Sequence, residues 1–240
     1  MKKILIAAGA ALVLALVAFV VWAETPFRPS PEAIAALQTD ALVHVSTERW
    51  IVFEPADGQA RTGLILYPGG RVDERAYAPI ARRIAERGYL VVIVAVRLNL
   101  AFFDINAAEP VISAFPEIEH WAIGGHSLGG VAASVFAAAH PRIEGLALWA
   151  SYPADDALRE RNIRVLFLYG SRDGLAIDGV NRSQSLLPAD TEFVAIEGGN
   201  HSQFGAYGFQ PGDGAATISA EAQWDQAAEA TAALLKSLGK

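Results

Sequence analysis

A chain of 240 residues that is 52% hydrophobic and 19% charged can bury one large core and is too apolar for a disordered protein. Its 26 acidic and 19 basic residues leave a net charge of −7, and two of the basic residues are Lys2 and Lys3, so no basic footprint remains for nucleic acid. With no cysteine, disulfides, thiolate metal sites and a cysteine nucleophile are excluded by inventory.

Residues 4–22 contain no charged side chain, with Lys2 and Lys3 before them and Glu24 after. At a rise of about 1.5 Å per residue this run reaches roughly 28 Å, close to the hydrocarbon thickness of a bilayer. Residues 1–23 are therefore expected to be a transmembrane anchor, with a cleaved signal segment as the rival, since small residues stand near position 23. Either way the two lysines favour a cytoplasmic N-terminus, so the remainder is expected on the extracytoplasmic side, anchored or secreted. Residues 24–40 begin with Pro26, Pro29 and Pro31 and read as a stiff tether followed by a short helix at 32–37.

Residues 41–240 have the pattern of one domain. One or two strands are expected within 41–53, around 46–49. Apolar runs of strand length then recur at 63–67, 89–96, 121–125, 146–150, 165–169 and 193–196. Helical patterns fall between and after them at 74–87, 106–115, 128–139, 180–187 and 220–238. Continuous apolar strands alternating with helices predict an α/β fold, a mostly parallel sheet covered on both faces. About a dozen residues separate the strands ending near 150 and beginning near 165, too few for a sizeable cap domain. The site is expected to be open.

Gly125, His126, Ser127, Leu128 and Gly129 form G-x-S-x-G where a predicted strand meets a predicted helix, the setting of a nucleophile elbow. There a strained turn exposes the Ser127 hydroxyl beside the amide of Leu128. A serine hydroxyl is a poor nucleophile at neutral pH and needs a base, normally a histidine held by a carboxylate. Of the five histidines, His44, His120, His126 and His140 have structural readings. His201 stands apart, in a glycine-softened loop after the last strand, where open α/β sheets place their ligands. The acid is expected between Ser127 and His201 in sequence, after the penultimate strand. Asp173 meets that condition, with Asp178 as runner-up. A second oxyanion donor is expected after strand 63–67, from Gly69, Gly70 or Arg71, since Pro68 has no amide; Gly70 is the choice. Phe204, Tyr207 and Phe209 are candidates for an aromatic wall around the substrate, against plain packing.

These residues in this order resemble the α/β-hydrolase superfamily. Residues 67–73 and 200–213 are similar to a small capless branch of bacterial hydrolases that is often membrane-tethered. The size is that of dienelactone hydrolases, but Ser127 stands where those have cysteine. The resemblance implies a serine hydrolase cleaving a small carboxylic ester through an acyl-enzyme, with no cofactor and no metal, a small acyl substrate as partner and the membrane contacted through the N-terminal helix. Acyl transfer on the same triad is the adjacent alternative, and a tethered binding protein without turnover is the alternative from another class. The missing cap adds an expectation of short, water-soluble esters.

Overall fold

The structure is a computed structural model that describes residues 2–240; Met1 and the side chain of Lys2, half of the predicted lysine flank, lie outside the described residues. Helix α1 (Lys2–Ala23) is apolar along its length and exposed over residues 3–22, with only Ala23 buried. A short helix α2 (Pro31–Ala35) follows, started by Pro31 at a position where its missing N–H costs nothing and by the Ser30 hydroxyl capping Ala33.

Eight strands form one sheet in the order β1-β2-β4-β3-β5-β6-β7-β8. The strands are β1 (Val43–Ser46), β2 (Ile51–Pro55), β3 (Thr62–Tyr67), β4 (Leu90–Ile93), β5 (His120–His126), β6 (Ile143–Trp149), β7 (Arg164–Gly170) and β8 (Glu192–Ile196). The hairpin β1–β2 and the pair β2–β4 are antiparallel, and all pairs from β4 through β8 are parallel.

The continuous apolar strands are explained by burial on both faces. Along β3, Leu64 and Leu66 join the core under α3 (Ala78–Ala85) and α7 (Ala220–Ser237), whereas Ile65 and Tyr67 join the core under α4 (Glu109–Ala114) and α5 (Leu128–Ala139). Between β6 and β7 the described chain forms turns and no helix, so the site has no sizeable cap.

Two differences from the sequence reading matter for the site. The run at 89–96 stops as a strand at Ile93, because the chain turns into three 3-10 turns, with Leu98 and Asn99 at φ of 56° and 51°. The proline-rich segment is no free tether. Phe27 N–H donates to Arg71 O at 2.7 Å, Asp73 N–H to Phe27 O at 3.1 Å and Ser30 N–H to Ala206 O at 2.7 Å, so the segment runs as a strap across the domain. The Phe27 ring lies 5.6 Å from that of Tyr207.

Candidate active site

Ser127 sits between the end of β5 and the start of α5 with φ of 51° and ψ of −123°, a conformation that L-residues rarely adopt. The surroundings over-determine it. Ser127 N–H donates to Trp149 O at 3.0 Å, and the Ser151 hydroxyl donates to Ser127 O at 2.6 Å. A Cβ on Gly125 would overlap the backbone of Gly129, and one on Gly129 would overlap the carbonyl oxygens of Tyr67 and Pro68. Both glycines are thus required by close backbone approach, at about 1 kcal/mol of helix propensity for Gly129 inside α5.

The carboxyl ends of β7 and β8 supply the next two groups. Gly170 lets the two loops meet, since a Cβ there would overlap Gly199. Asp173, 4% exposed, and His201, 2% exposed, pair at 3.0 Å from Oδ2 to Nδ1. The other carboxylate oxygen of Asp173 accepts the N–H groups of Leu175 and Ala176, both at 2.7 Å. The turn-cap role and the histidine-orienting role are therefore filled by one side chain. Asp178 is exposed and caps α6 (Gly179–Ser183) without a side-chain bond. The His201 ring lies 4.5 Å from the ring of His126, the residue before Ser127. Asp173 and His201 are thus bonded to each other, and among the described residues no hydrogen bond joins Ser127 Oγ to His201.

The alpha/beta hydrolase family model matches residues 63–225, more than half of the chain. The chain belongs to the α/β hydrolase family. A search of curated proteins found no match to this hydrolase. Among solved structures it is similar to the esterase domain of a Rhodothermus marinus protein, 16% identical, with a TM-score of 0.61 over 77% of this chain and 90% of that one. A predicted CIB-like hydrolase from Thermoplasma acidophilum is 14% identical, with a TM-score of 0.57 over 82% and 99% of the two chains. At such identities the likeness is one of fold.

In the hydrolase, the loop after β3 lies against the elbow because Tyr67 is in register with Gly125. Of its three amides, Gly69 N–H is committed to the Tyr77 hydroxyl at 2.8 Å and Arg71 N–H to Asn99 O at 2.8 Å. That leaves Gly70 N–H uncommitted among the described residues. Leu128, the first residue of α5, likewise has an N–H with no acceptor in its own helix. A Cβ on Gly70 would lie 3.1 Å from Leu128 Cδ2, so the two residues are neighbours.

The aromatic candidates divide. Phe204 is fully buried, its ring 6.4 Å from Trp149 and 6.0 Å from His126. Tyr207 is buried under the strap. Both belong to the core cluster on the α3 and α7 side of the sheet, so packing is what the structure shows at these two positions. Phe209 is 60% exposed and lines a cavity of about 550 Å³ with Ser202, Gln203 and Trp224, a lining that does not include Ser127.

Three supporting groups were not foreseen. Tyr77 and His126, both fully enclosed, share a hydrogen bond at 2.9 Å. Burial raises the Tyr77 pKa well above its usual value, and burial followed by the neighbouring His201 lowers that of His126 well below its own. Tyr77 therefore keeps its proton and donates it to Nδ1 of a neutral His126 while accepting from Gly69. Asp213 accepts from the Ser202 hydroxyl at 2.6 Å, from Ser202 N–H at 2.8 Å and from Gly174 N–H at 3.1 Å, tying the loop of Asp173 to that of His201. Burial pushes the Asp213 carboxyl up, but these donors outweigh it and hold the pKa below the usual value. Gln223 of α7 clamps Asn200 both ways, at 3.0 and 2.8 Å, next to His201. The available signal was Asp213 itself, the end of the segment 200–213 that carried the resemblance.

Proposed function

We infer that this hydrolase cleaves a carboxylic ester by an acyl-enzyme mechanism with Ser127 as nucleophile, His201 as base and Asp173 as its orienting acid. The observation that carries the reading is the strained Ser127 elbow beside a buried Asp173–His201 pair. A neutral His201 accepts the Ser127 proton as Oγ bonds to the acyl carbon. The Gly70 and Leu128 amides take the oxyanion, each such donor lowering the barrier by about 3–4 kcal/mol. As the intermediate collapses, the ester C–O bond breaks and the alcohol leaves with the proton from His201. Water, deprotonated by His201, then opens the acyl-serine and releases the carboxylic acid. Asp173 fixes the His201 tautomer and stabilises its charged form.

The N-terminal helix is read as a retained anchor with the domain on the extracytoplasmic side. Retention is supported by the burial of Ala23 and by carbonyls of the helix end that accept bonds from the domain: Arg71 Nε donates to Trp22 O at 2.8 Å and Asn99 Nδ2 to Ala23 O at 3.0 Å. Cleavage at residue 23 would cut beside a buried alanine whose carbonyl is bonded to the domain.

A fluorophosphonate probe tests the chemistry. Labelling of the intact protein that disappears in Ser127→Ala and His201→Ala is expected, together with a loss of ester turnover of at least about 10⁴-fold in either variant. A folded protein that takes no label would instead be a binding module. Product analysis with a competing alcohol separates hydrolysis from acyl transfer.

A further inference from the structure

The loop that carries Gly70 is also the loop on which the helix stands. Arg71, the next residue, bonds Trp22 O through Nε and Thr25 O through Nη2 at 2.6 Å, and its guanidinium lies 4.4 Å over the Trp22 ring. Its own backbone rests on Asn99, whose side chain holds Ala23 O. The neighbouring Leu100 reaches to 3.7 Å from where a Gly70 Cβ would stand, beside Leu128. One residue therefore separates the free Gly70 amide from the end of the apolar helix.

Helix α1 has 22 residues, about 33 Å at the helical rise, which matches the roughly 30 Å hydrocarbon layer. A spanning α1 puts Trp22 at the interfacial layer, where amphipathic aromatic rings concentrate. The headgroup zone beyond it is only about 5–8 Å deep on each side. Arg71 ties the loop of Gly70 to Trp22, so the part of the rim that Gly70 belongs to lies at the end of the domain where the helix enters. Two large rings stand on the surface beside it: Phe102 and Phe103 are 50% and 47% exposed, the Phe103 ring packs 6.4 Å from Phe19 of the helix, and Glu24, Glu74 and Arg97 share the surface around Phe103.

We propose that the carboxyl-end rim of the sheet rests on the leaflet entered by α1, with Phe102 and Phe103 dipping into it, and that the substrate is the acyl ester of an amphiphile resident in that leaflet. Ester carbonyls of such molecules lie at the boundary between acyl chains and headgroups, the depth at which Ser127 and its two amides stand. The leaflet then excludes water from the open site, as a cap would. This rests on the ester-hydrolase reading and replaces the expectation of short soluble substrates drawn from the missing cap.

The test uses the full chain in phosphatidylcholine vesicles, with two measurements. Because the sequence has no cysteine, Phe102→Cys takes a single environment-sensitive dye, and Arg164→Cys places one at the opposite, amino-terminal end of β7. Lipids brominated at defined depths are expected to quench the dye at 102 at headgroup to upper-chain depth and to leave that at 164 unquenched. A dye at 102 that stays in water overturns the proposal whatever the enzyme does. In the second measurement, a fluorogenic long-chain ester dissolved in the vesicles is compared with water-soluble p-nitrophenyl acetate. The double variant Phe102→Ser, Phe103→Ser is expected to lose at least tenfold on the vesicle ester and less than twofold on the soluble one. Equal effects on both, or soluble-ester turnover with none in vesicles, would sink the proposal while sparing the hydrolase reading. No Ser127-dependent turnover of either ester sinks both.

Discussion

Removing the Tyr77 hydroxyl isolates the clamp on the oxyanion loop. Tyr77→Phe keeps the ring in its fully buried place and deletes one oxygen, which accepts from Gly69 N–H at 2.8 Å and donates to His126 Nδ1 at 2.9 Å. Both partners are enclosed, so each loses its bond without a replacement, at about 1–3 kcal/mol apiece. The two together make a loss of about 2–4 kcal/mol, allowing for partial relaxation. For a domain of this size that is a fall in Tm of roughly 5–15 °C by calorimetry. The Gly69 amide leads directly into Gly70, so release of the loop also displaces the proposed oxyanion donor. A displacement near 1 Å costs about 100-fold in rate. Because the oxyanion forms only in the transition state, kcat and kcat/KM are expected to fall together, by about 10- to 100-fold, with KM nearly unchanged. A variant with Tm within about 2 °C of the parent and kcat within twofold would show that neither bond holds the loop, and the argument would fail.

Three other perturbations probe separate parts of the site. Gly129→Ala drives a Cβ into the carbonyls of Tyr67 and Pro68, with Tyr67 C only 2.8 Å away, so about 1–3 kcal/mol of stability is expected to go, along with fluorophosphonate labelling; full labelling with an unchanged Tm would refute the close-approach account. Asp213→Ala frees the loops of Asp173 and His201 from each other, which is expected to lower kcat about 10- to 100-fold while Ser127 still reacts slowly with the probe; unaltered kcat would remove Asp213 from the positioning set. Acid melts test His126, whose folded pKa is lowered from 6.5, chiefly by burial. Below pH 6.5 the unfolded chain binds a proton that the folded one does not, so stability is complete above that pH and falls at up to about 1.4 kcal/mol per pH unit beneath it. His126→Asn is expected to flatten that slope between pH 6.5 and 5, and an unchanged slope would mean that another group causes it. Asp213 and Asp73, whose folded pKa values are lowered from 3.8, lose their contribution only as the pH falls through the carboxylate range.

The sheet was legible because burial on both faces writes apolar runs of strand length into the sequence. β3, β6, β7 and β8 lie within about three residues of their expected bounds, and α5 coincides with its expected range. The pairing of Asp173 with His201 was foreshadowed because the fold places each after a particular strand, so chain order substitutes for distance. Periodicity is silent where a contact is local to neither helix nor strand. Tyr77 reaches His126 across 49 positions, and Gln223 reaches Asn200 across 23. The same silence hid the strap, whose bonds to Arg71 and Ala206 involve backbone groups that any residue carries. Phe204 and Tyr207 stood in the right stretch after His201, but aromatic character alone does not tell a ring that lines a site from one that supports it.

The strap between α1 and the domain fixes more than a position. With Trp22, Ala23, Phe27 and Ser30 bonded to the domain at Arg71, Asn99 and Ala206, the proposed anchor would hold the domain without a free swivel at the bilayer. Its remaining freedoms would be lateral diffusion and spin about the membrane normal. Encounter with the proposed leaflet-resident ester would then be a search in a plane, governed by molecules per unit area and insensitive to the volume of solution above, so turnover would follow the mole fraction of substrate in the lipid and stay constant on dilution of the vesicles.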